Sequence, residues 1–323
     1  MKDERTRRRV CIVAPSPAVS SGHPGSSGGS AWPMWFRGGA ERFERPLLYF
    51  LEAHALGELL SVSVECAERG ILCNSAERRQ SRWPKGVRPE LPLWLLSQTA
   101  CTPYDPFTAE EARTILRHAL SSLYVENEAG FFYLATHGDV DIDDAPFNDI
   151  DPDYIVKGMY RIRNDIAEEE PTRVRLCGAG STMVQVIEAA RLLWDSAGIV
   201  AELWSCPSYT RLARDGTAVA RWNLLHPEAD AKVSHVERCL RADALPVVAV
   251  TGYTRHVAAQ IGPFAPGHFT ALGADSVSSI SGMGQPTSPT ARWIALAALH
   301  AMANTGSVAP TVVQDALRRF ALS

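Results

Sequence analysis

Hydrophobic patterning in the first half of the chain predicts two buried strands and a helix between them. Residues 10–14 form a short apolar run that ends at a proline, which is typical of a buried strand. Residues 47–69 carry apolar side chains at helical spacing, which predicts a helix in the later part of this stretch that stops near Gly70. Residues 131–135 are continuously apolar or aromatic and predict a second buried strand.

A second helix is predicted from a sequence signature at its start. Thr108 is followed three residues later by Glu111, and an apolar periodic run continues to about residue 123. In such a capping box the threonine hydroxyl accepts from the third helical amide, while the glutamate accepts from the threonine amide. The sequence therefore predicts a helix over 108–123.

The second half of the chain alternates between predicted strands and predicted helices. A charged stretch that ends in a proline, residues 166–171, is the candidate linker before it. We expect strands at 174–177, 200–205, 246–250 and 269–272, and helices at 182–196, 208–214, 257–261, 289–303 and 309–320. Alternation of this kind predicts parallel βαβ units, and open parallel sheets bind ligands at the carboxyl ends of their strands.

Composition excludes several classes of protein. Of the 323 residues 46% are hydrophobic and 21% are charged, which is typical of one large or two medium globular domains. Because 32 basic and 36 acidic residues are interleaved, no cationic face for nucleic acid is predicted. No run approaches the roughly 20 apolar residues of a membrane helix, and no secretory leader is recognisable, so we expect a cytoplasmic protein that does not bind membranes.

Three sequence features have both a functional and a structural interpretation. The seven cysteines lack metal-ligand spacing, so we expect buried, reduced thiols and no metal site. Gly178 and Gly180 lie between a predicted strand and helix, where a turn either binds phosphate or simply packs tightly, and the tight turn is favoured. Residues 139–153 hold seven aspartates, either a cation site or a solvated loop, and the loop is favoured.

In the second half, residues 204–216 read WSCPSYTRLARDG and residues 221–227 read RWNLLHP. Both runs resemble the carboxyl-terminal domain of the homodimeric-type pyruvate dehydrogenase family, within the transketolase-like thiamin-diphosphate enzymes. VRLCGAGST at 174–182 looks like the first strand and turn of that domain. CTPYDP at 101–106 and FFYLAT at 131–136 resemble the end of the pyrimidine-binding domain, and 57–70 resembles one of its helices.

The resemblance implies a fold of two α/β, doubly wound domains. Residues 1–165 are expected to form a shortened thiamin pyrimidine-binding domain, and residues 172–323 a transketolase carboxyl-terminal-like domain. The implied cofactors are thiamin diphosphate and Mg²⁺. The family binds the diphosphate and the metal through a Gly-Asp-Gly motif, which does not occur in this sequence, so a separate partner chain is expected to hold them.

The resemblance also indicates which residues of this chain face the cofactor. The family's activating glutamate is expected near Ser20, where no acidic residue stands, and Glu52 is the nearest substitute or else a structural helix-start glutamate. The pyrimidine-stacking aromatic aligns near Leu51, so the adjacent Phe50 is its candidate replacement. Residues 90–92 replace the family's histidine-rich loop without a histidine. Catalytic residues are therefore not assigned.

The resemblance finally implies a function. A split enzyme would transfer a two-carbon unit from a 2-oxo acid or ketose to an acceptor such as a thiol on a lipoyl or acyl carrier protein. The alternative is a degenerate, non-catalytic homologue that scaffolds or regulates an intact partner.

Overall fold

The computed structural model describes two sheets with helices on their faces. It describes residues 11–13, 47–51, 56–65, 69–75, 90–137, 150–162, 173–240, 244–276 and 289–320. The first sheet contains β1 (Cys11–Val13), β2 (Leu47–Leu51), β3 (Arg69–Asn74), β4 (Cys101–Tyr104) and β5 (Gly130–Ala135). The second contains β6 (Tyr160–Ile162), β7 (Val174–Gly178), β8 (Ala201–Ser205), β9 (Val247–Val250) and β10 (Phe269–Leu272).

Ten α-helices are found in the described ranges, together with 3₁₀ turns at Gly180–Thr182, Gly262–Phe264 and Ala274–Ser276. The helices before β7 are α1 (Leu56–Glu65), α2 (Glu90–Ser97), α3 (Ala109–Tyr124) and α4 (Pro152–Lys157). Those after β7 are α5 (Met183–Ala197), α6 (Tyr209–Leu225), α7 (His235–Leu240), α8 (His256–Ala259), α9 (Ala291–Asn304) and α10 (Pro310–Arg319). None of these helices is long and apolar enough to cross a bilayer.

The first sheet has the order β1-β2-β3-β5-β4, and all its strands are parallel. Successive side chains point to opposite faces, so Ile71 and Phe132 pack on the side of α3. Leu72 and Tyr133 pack on the other side, in a cluster with Leu59 of α1 and Leu95 of α2. Helices therefore cover both faces, as the continuous apolar strands require.

The second sheet has the order β10-β9-β7-β8-β6, in which only β6 is antiparallel. One face packs against α5 and α9, and the other packs against α6 and α7. The hydrophobic cluster on the α5 and α9 face continues into the α3 side of the first sheet, so the two sheets share one core. The predicted fold class, α/β with two doubly wound units, is confirmed.

Most predicted elements of the second half are confirmed, and one is too short. The predicted helix at 208–214 continues in the structure to Leu225 as α6. Gly216 lies inside this helix, where the Phe264 ring packs against it, and an added Cβ would lie 2.6 Å from that ring. The glycine therefore serves a close approach between α6 and the 3₁₀ turn, not a helix end.

Patterning missed several short elements, among them β2, β3, β4 and α2. The candidate linker at 166–171 and most of the aspartate-rich stretch lie outside the described residues. Of that stretch, Asp151 caps α4 by accepting from the Asp153 amide at 2.9 Å. β6 pairs within the second sheet although it precedes residue 165, and the bounds 1–165 and 172–323 stay a prediction.

Candidate functional site

The carboxyl ends of strands from both sheets meet at a contact that we call the seam, formed by residues 98–111 and 178–214. Asp105 directly follows β4, and its amide donates to the Pro207 carbonyl at 2.7 Å. Its carbonyl accepts from the Gly180 amide at 2.9 Å, just beyond β7. Because parallel sheets place ligand-binding groups at these strand ends, the seam is the first place to look for a site.

An aspartate and a histidine are paired at the centre of the seam. Oδ1 of Asp105 lies 2.5 Å from Nε2 of His137, which follows the end of β5, and both side chains are almost fully buried. Gly180 sits directly against this pair: an added Cβ would lie 2.6 Å from Cγ of Asp105 and 2.7 Å from Nε2 of His137. The backbone of Gly180 has φ of +51°, a conformation that glycine adopts most easily.

The glycine turn is therefore filled by protein groups. The Asp105 carboxylate occupies the space in front of Gly180, and Gly178 packs against Met183 and Val186 of α5. A carboxylate at that point would repel a phosphate. The structure thus favours the interpretation as a tight turn over the interpretation as a phosphate site.

Glu111 is a buried carboxylate that links the two sheets. Its Oε1 accepts from the Tyr160 hydroxyl at 2.6 Å and from the Ser205 hydroxyl at 2.5 Å, in β6 and β8. Its Oε2 accepts from the amides of Phe107 and Thr108 at the start of α3, and the predicted capping box is confirmed. Burial raises the pKa of Glu111, although the four donors act in the opposite direction.

Two side chains of α6 complete the seam. The Ser208 hydroxyl donates to the Pro103 carbonyl at 2.5 Å and accepts from the Arg211 amide at 3.2 Å, so it caps α6 and contacts β4 at once. The Arg214 guanidinium donates to the carbonyls of Cys101 at 2.5 Å and Gln98 at 3.0 Å, where α2 runs into β4. The relative position of the two sheets is thus fixed by directional bonds.

The seam encloses only a small cavity, of about 40 Å³. Its walls include Tyr104, Tyr133, Cys206, Tyr209 and Tyr253. Cofactor and drug-sized ligands occupy pockets of about 300–1,000 Å³, so this cavity has room for little more than a water molecule. The seam cavity is therefore too small for thiamin diphosphate.

Of the three sequence-predicted cofactor residues, Phe50 and Leu51 form the end of β2, which is three strands away from β4 in the sheet order. Phe50 is 43% exposed, so its ring is accessible for stacking. Leu51 points to the opposite face, is 5% exposed, and lies beside Asn74 in the sheet register. Glu52 lies outside the described residues. The role of Phe50, Leu51 and Glu52 in cofactor binding therefore stays a prediction.

Sequence patterns indicated only part of the seam. The capping box identified Glu111 as a local helix cap, but its bonds to Tyr160 and Ser205 join residues 49 and 94 positions apart. No sequence motif indicated the pairing of Asp105 with His137. Spacing along the chain cannot reveal such contacts, because they form only when strand ends of two sheets meet.

Cysteine chemistry and metal binding find no support in the described residues. Cys73, Cys101, Cys177 and Cys206 are buried free thiols, and Cys239 is half-buried, in agreement with the prediction for these five. Burial raises the pKa of Cys73 and of Cys239 to about 12, so neither forms a thiolate nucleophile at neutral pH. In the described ranges no group of His, Cys, Asp or Glu side chains is arranged to hold a metal ion.

Comparison with known proteins identifies the part of the chain that contains the second sheet. Residues 158–277 match the family model of the transketolase-like TK C-terminal domain. The pyruvate dehydrogenase E1 component of Cupriavidus necator is 32% identical over 280 residues, which is 83% of this chain and 30% of that protein. The corresponding protein of Pseudomonas aeruginosa is 35% identical over 232 residues, which is 69% of this chain and 25% of that protein.

A solved structure resembles the chain along almost its whole length. It is described as a split gene transketolase, inactive β4 tetramer, and aligns with a TM-score of 0.51 at 15% identity over 92% of this chain and 93% of its own. This likeness shows the fold. The match to this chain covers only 30% and 25% of the length of these two pyruvate dehydrogenase relatives. By sequence and by fold, the chain belongs to the transketolase-like family that includes the pyruvate dehydrogenase E1 components, with a transketolase-like C-terminal domain at residues 158–277.

Proposed function

We propose that this chain is a subunit of a split thiamin-diphosphate-dependent enzyme of the pyruvate dehydrogenase and transketolase type. In this proposal the unit ending near residue 165 faces the pyrimidine of the cofactor. A separate chain provides the diphosphate-binding domain and the Mg²⁺ ligands. The assembly works in the cytoplasm and transfers a two-carbon unit from a 2-oxo acid or ketose to an acceptor such as a thiol on a lipoyl or acyl carrier protein.

The observation that carries this proposal is the fold match with a split gene transketolase. The match covers 92% of this chain and 93% of that chain, with a TM-score of 0.51. The pyruvate dehydrogenase E1 relatives add sequence identity of 32–35% over the same region. The Gly-Asp-Gly motif is absent from the 323 residues, so the diphosphate contacts have to come from residues outside this sequence.

The geometry also supports a site shared between chains. The seam holds a cavity of only about 40 Å³, whereas the Phe50 ring is accessible at the carboxyl end of β2. A cofactor that lies against this strand end would be open on its other side and would need a second protein wall. Thiamin diphosphate, when bound, supplies the carbanion-stabilising chemistry, and this chain's part is to position the pyrimidine.

We expect the purified chain alone not to retain thiamin diphosphate. A cofactor held between two chains loses most of its contacts when one chain is absent. The measurement is cofactor content after desalting, by fluorescence of oxidised thiamin, for three samples: this chain, a candidate Gly-Asp-Gly-bearing partner, and their mixture with Mg²⁺. Retention in the mixture alone supports the proposal.

Two other outcomes would contradict it. Tight retention by this chain alone would show that its own residues form a complete site. If the mixture forms a stable complex that retains no cofactor, that result would support the scaffolding function instead.

Within the assembled enzyme, Phe50→Ala and Glu52→Gln give contrasting expected results. Losing the Phe50 ring removes stacking area, so cofactor retention should weaken while the assembly persists. If the activating glutamate lies on the partner, Glu52→Gln should leave turnover within about tenfold, near 1.4 kcal/mol of barrier. Turnover and bound cofactor are both measured. A loss of several orders of magnitude in Glu52→Gln with cofactor still bound would identify Glu52 as the activator.

The second candidate function is a degenerate homologue that scaffolds or regulates an intact partner. Leu51 favours it, because a buried aliphatic side chain stands where the family's stacking aromatic aligns. Full cofactor retention and full turnover in both Phe50→Ala and Glu52→Gln would support this alternative, because the cofactor pocket would then belong entirely to the partner.

A further inference from the structure

A large cleft lies at the amino ends of the strands of the second sheet, whereas the seam lies at their carboxyl ends. Its volume is about 450 Å³, roughly ten times that of the seam cavity. Arg173 and Ile199 line it, and they precede the first residues of β7 and β8, whereas the seam begins beyond the last residues of the same strands. The five residues of each strand separate these two ends by about 15 Å. The cleft is therefore independent of the cofactor region considered above.

The floor of the cleft is apolar. Leu299 and Met302 of α9 and Ala316 of α10 are buried side chains of the shared core that reach the cleft from below. Val308 and Val312 are partly buried and complete this floor. A volume of this size with such a lining is within the range of small-molecule sites.

The turn that ends α5 keeps one wall open. Gly198 terminates the helix with φ of +61°, and nothing lies within 4 Å of the position of its missing Cβ. A helix commonly ends on a glycine in this conformation, because a side chain there is strained. Here the glycine also leaves space at the mouth of the cleft.

Two arginines stand at the rim. Both Arg173 and Arg319 are exposed, and no described carboxylate makes an ion pair with either of them. Arg319 has one long bond, 3.5 Å from Nη1 to the Ser196 carbonyl. The one carboxylate of the lining, Asp315, is paired with Arg318 at 3.6 Å. The rim is therefore a cationic edge above an apolar floor.

We propose that this cleft binds a small molecule with a carboxylate group and an apolar body. Guanidinium groups form paired hydrogen bonds with carboxylates, so Arg173 and Arg319 are suited to the charged end of such a ligand. The partly buried Val308 and Val312 side chains are suited to its hydrocarbon part. This site goes beyond the proposed cofactor function, and it does not depend on whether that function is correct.

Calorimetric titration of the full chain with octanoate tests the site. We expect saturable binding of one octanoate per chain. The double variant Arg173→Ala/Arg319→Ala should weaken the affinity at least about tenfold, which corresponds to 1.4 kcal/mol. Ala316→Phe should also weaken it by filling the floor. Arg191→Ala is the matched control, because Arg191 is an exposed arginine of α5 that pairs with Glu188 and does not line the cleft.

The control and the probe separate this site from unspecific association. Octanol has the same chain without the charge and should bind more weakly than octanoate. Absence of saturable octanoate binding would overturn the proposal. Equal affinity in the double variant and in Arg191→Ala would do so as well, because the two rim arginines would then have no role. Circular dichroism establishes that each variant is folded, and the double variant changes only exposed side chains.

Discussion

Replacing Glu111 with alanine should lower the free energy of unfolding by about 3 to 5 kcal/mol. The change removes the acceptor of four hydrogen bonds and leaves the amides of Phe107 and Thr108 facing a cavity inside the protein. The hydroxyls of Tyr160 and Ser205 also lose their acceptor, so both sheets are affected. Urea unfolding followed by circular dichroism measures the effect.

Glu110 provides a matched control one residue earlier in the same helix turn. It is exposed and forms an ion pair with Arg113 on the surface of α3. Surface pairs of this kind contribute little, so Glu110→Ala should change the unfolding free energy by less than about 1 kcal/mol. If both substitutions cost the same, the buried carboxylate does not stabilise the contact between the sheets.

The raised pKa of Glu111 predicts a pH dependence with a definite sign. Because the folded chain binds this proton more tightly than the unfolded chain, the associated stability is present in full below the ordinary carboxyl pKa of 4.5. It is lost as the pH rises through the folded pKa. Relative to Glu111→Gln, which does not titrate, the wild-type chain should become less stable as the pH rises above 4.5. A difference that grows in the other direction would contradict a raised pKa.

Replacing Gly180 with alanine should destabilise the chain by about 2 to 5 kcal/mol, the sum of a backbone term and an overlap term. The backbone term arises because φ is +51° at this residue. The overlap term arises because the added methyl group would meet Asp105 and His137, which are buried and cannot move apart without breaking their contact. The free energy of unfolding is again the measurement.

Gly198→Ala separates the two terms. Gly198 also has a left-handed backbone, with φ of +61°, but an added methyl group there meets nothing within 4 Å. It should therefore show the backbone term alone, about 1 to 2 kcal/mol. The excess cost at Gly180 reports the packing of the glycine turn against the Asp105–His137 pair. An equal cost at both glycines would show that this packing is soft.

The sequence by itself determined the fold class and most of the second sheet. Its strands are buried on both faces, so they read as short continuous apolar runs, and the helices between them carry clear periodicity. The capping box at Thr108 and Glu111 was also readable, because both partners lie within one helical turn. The residues of the family motifs at 101–106 and 204–216 identified the superfamily.

The tertiary structure alone decided what those residues do together. Patterning did not predict strands β2 to β4, because β2 and the start of β3 fall in the stretch 47–69 that has helical spacing, and β4 has only four residues, one of them a proline. Asp105 meets His137 and Gly180, and Glu111 meets Ser205, across 32 to 94 residues of chain. The sequence of Gly178 and Gly180 favoured a tight turn but left a phosphate-binding turn open, and only the position of the Asp105 carboxylate distinguishes the two. Hydrogen bonds between two sheets depend on where their strand ends meet, and a linear pattern records local periodicity without that position.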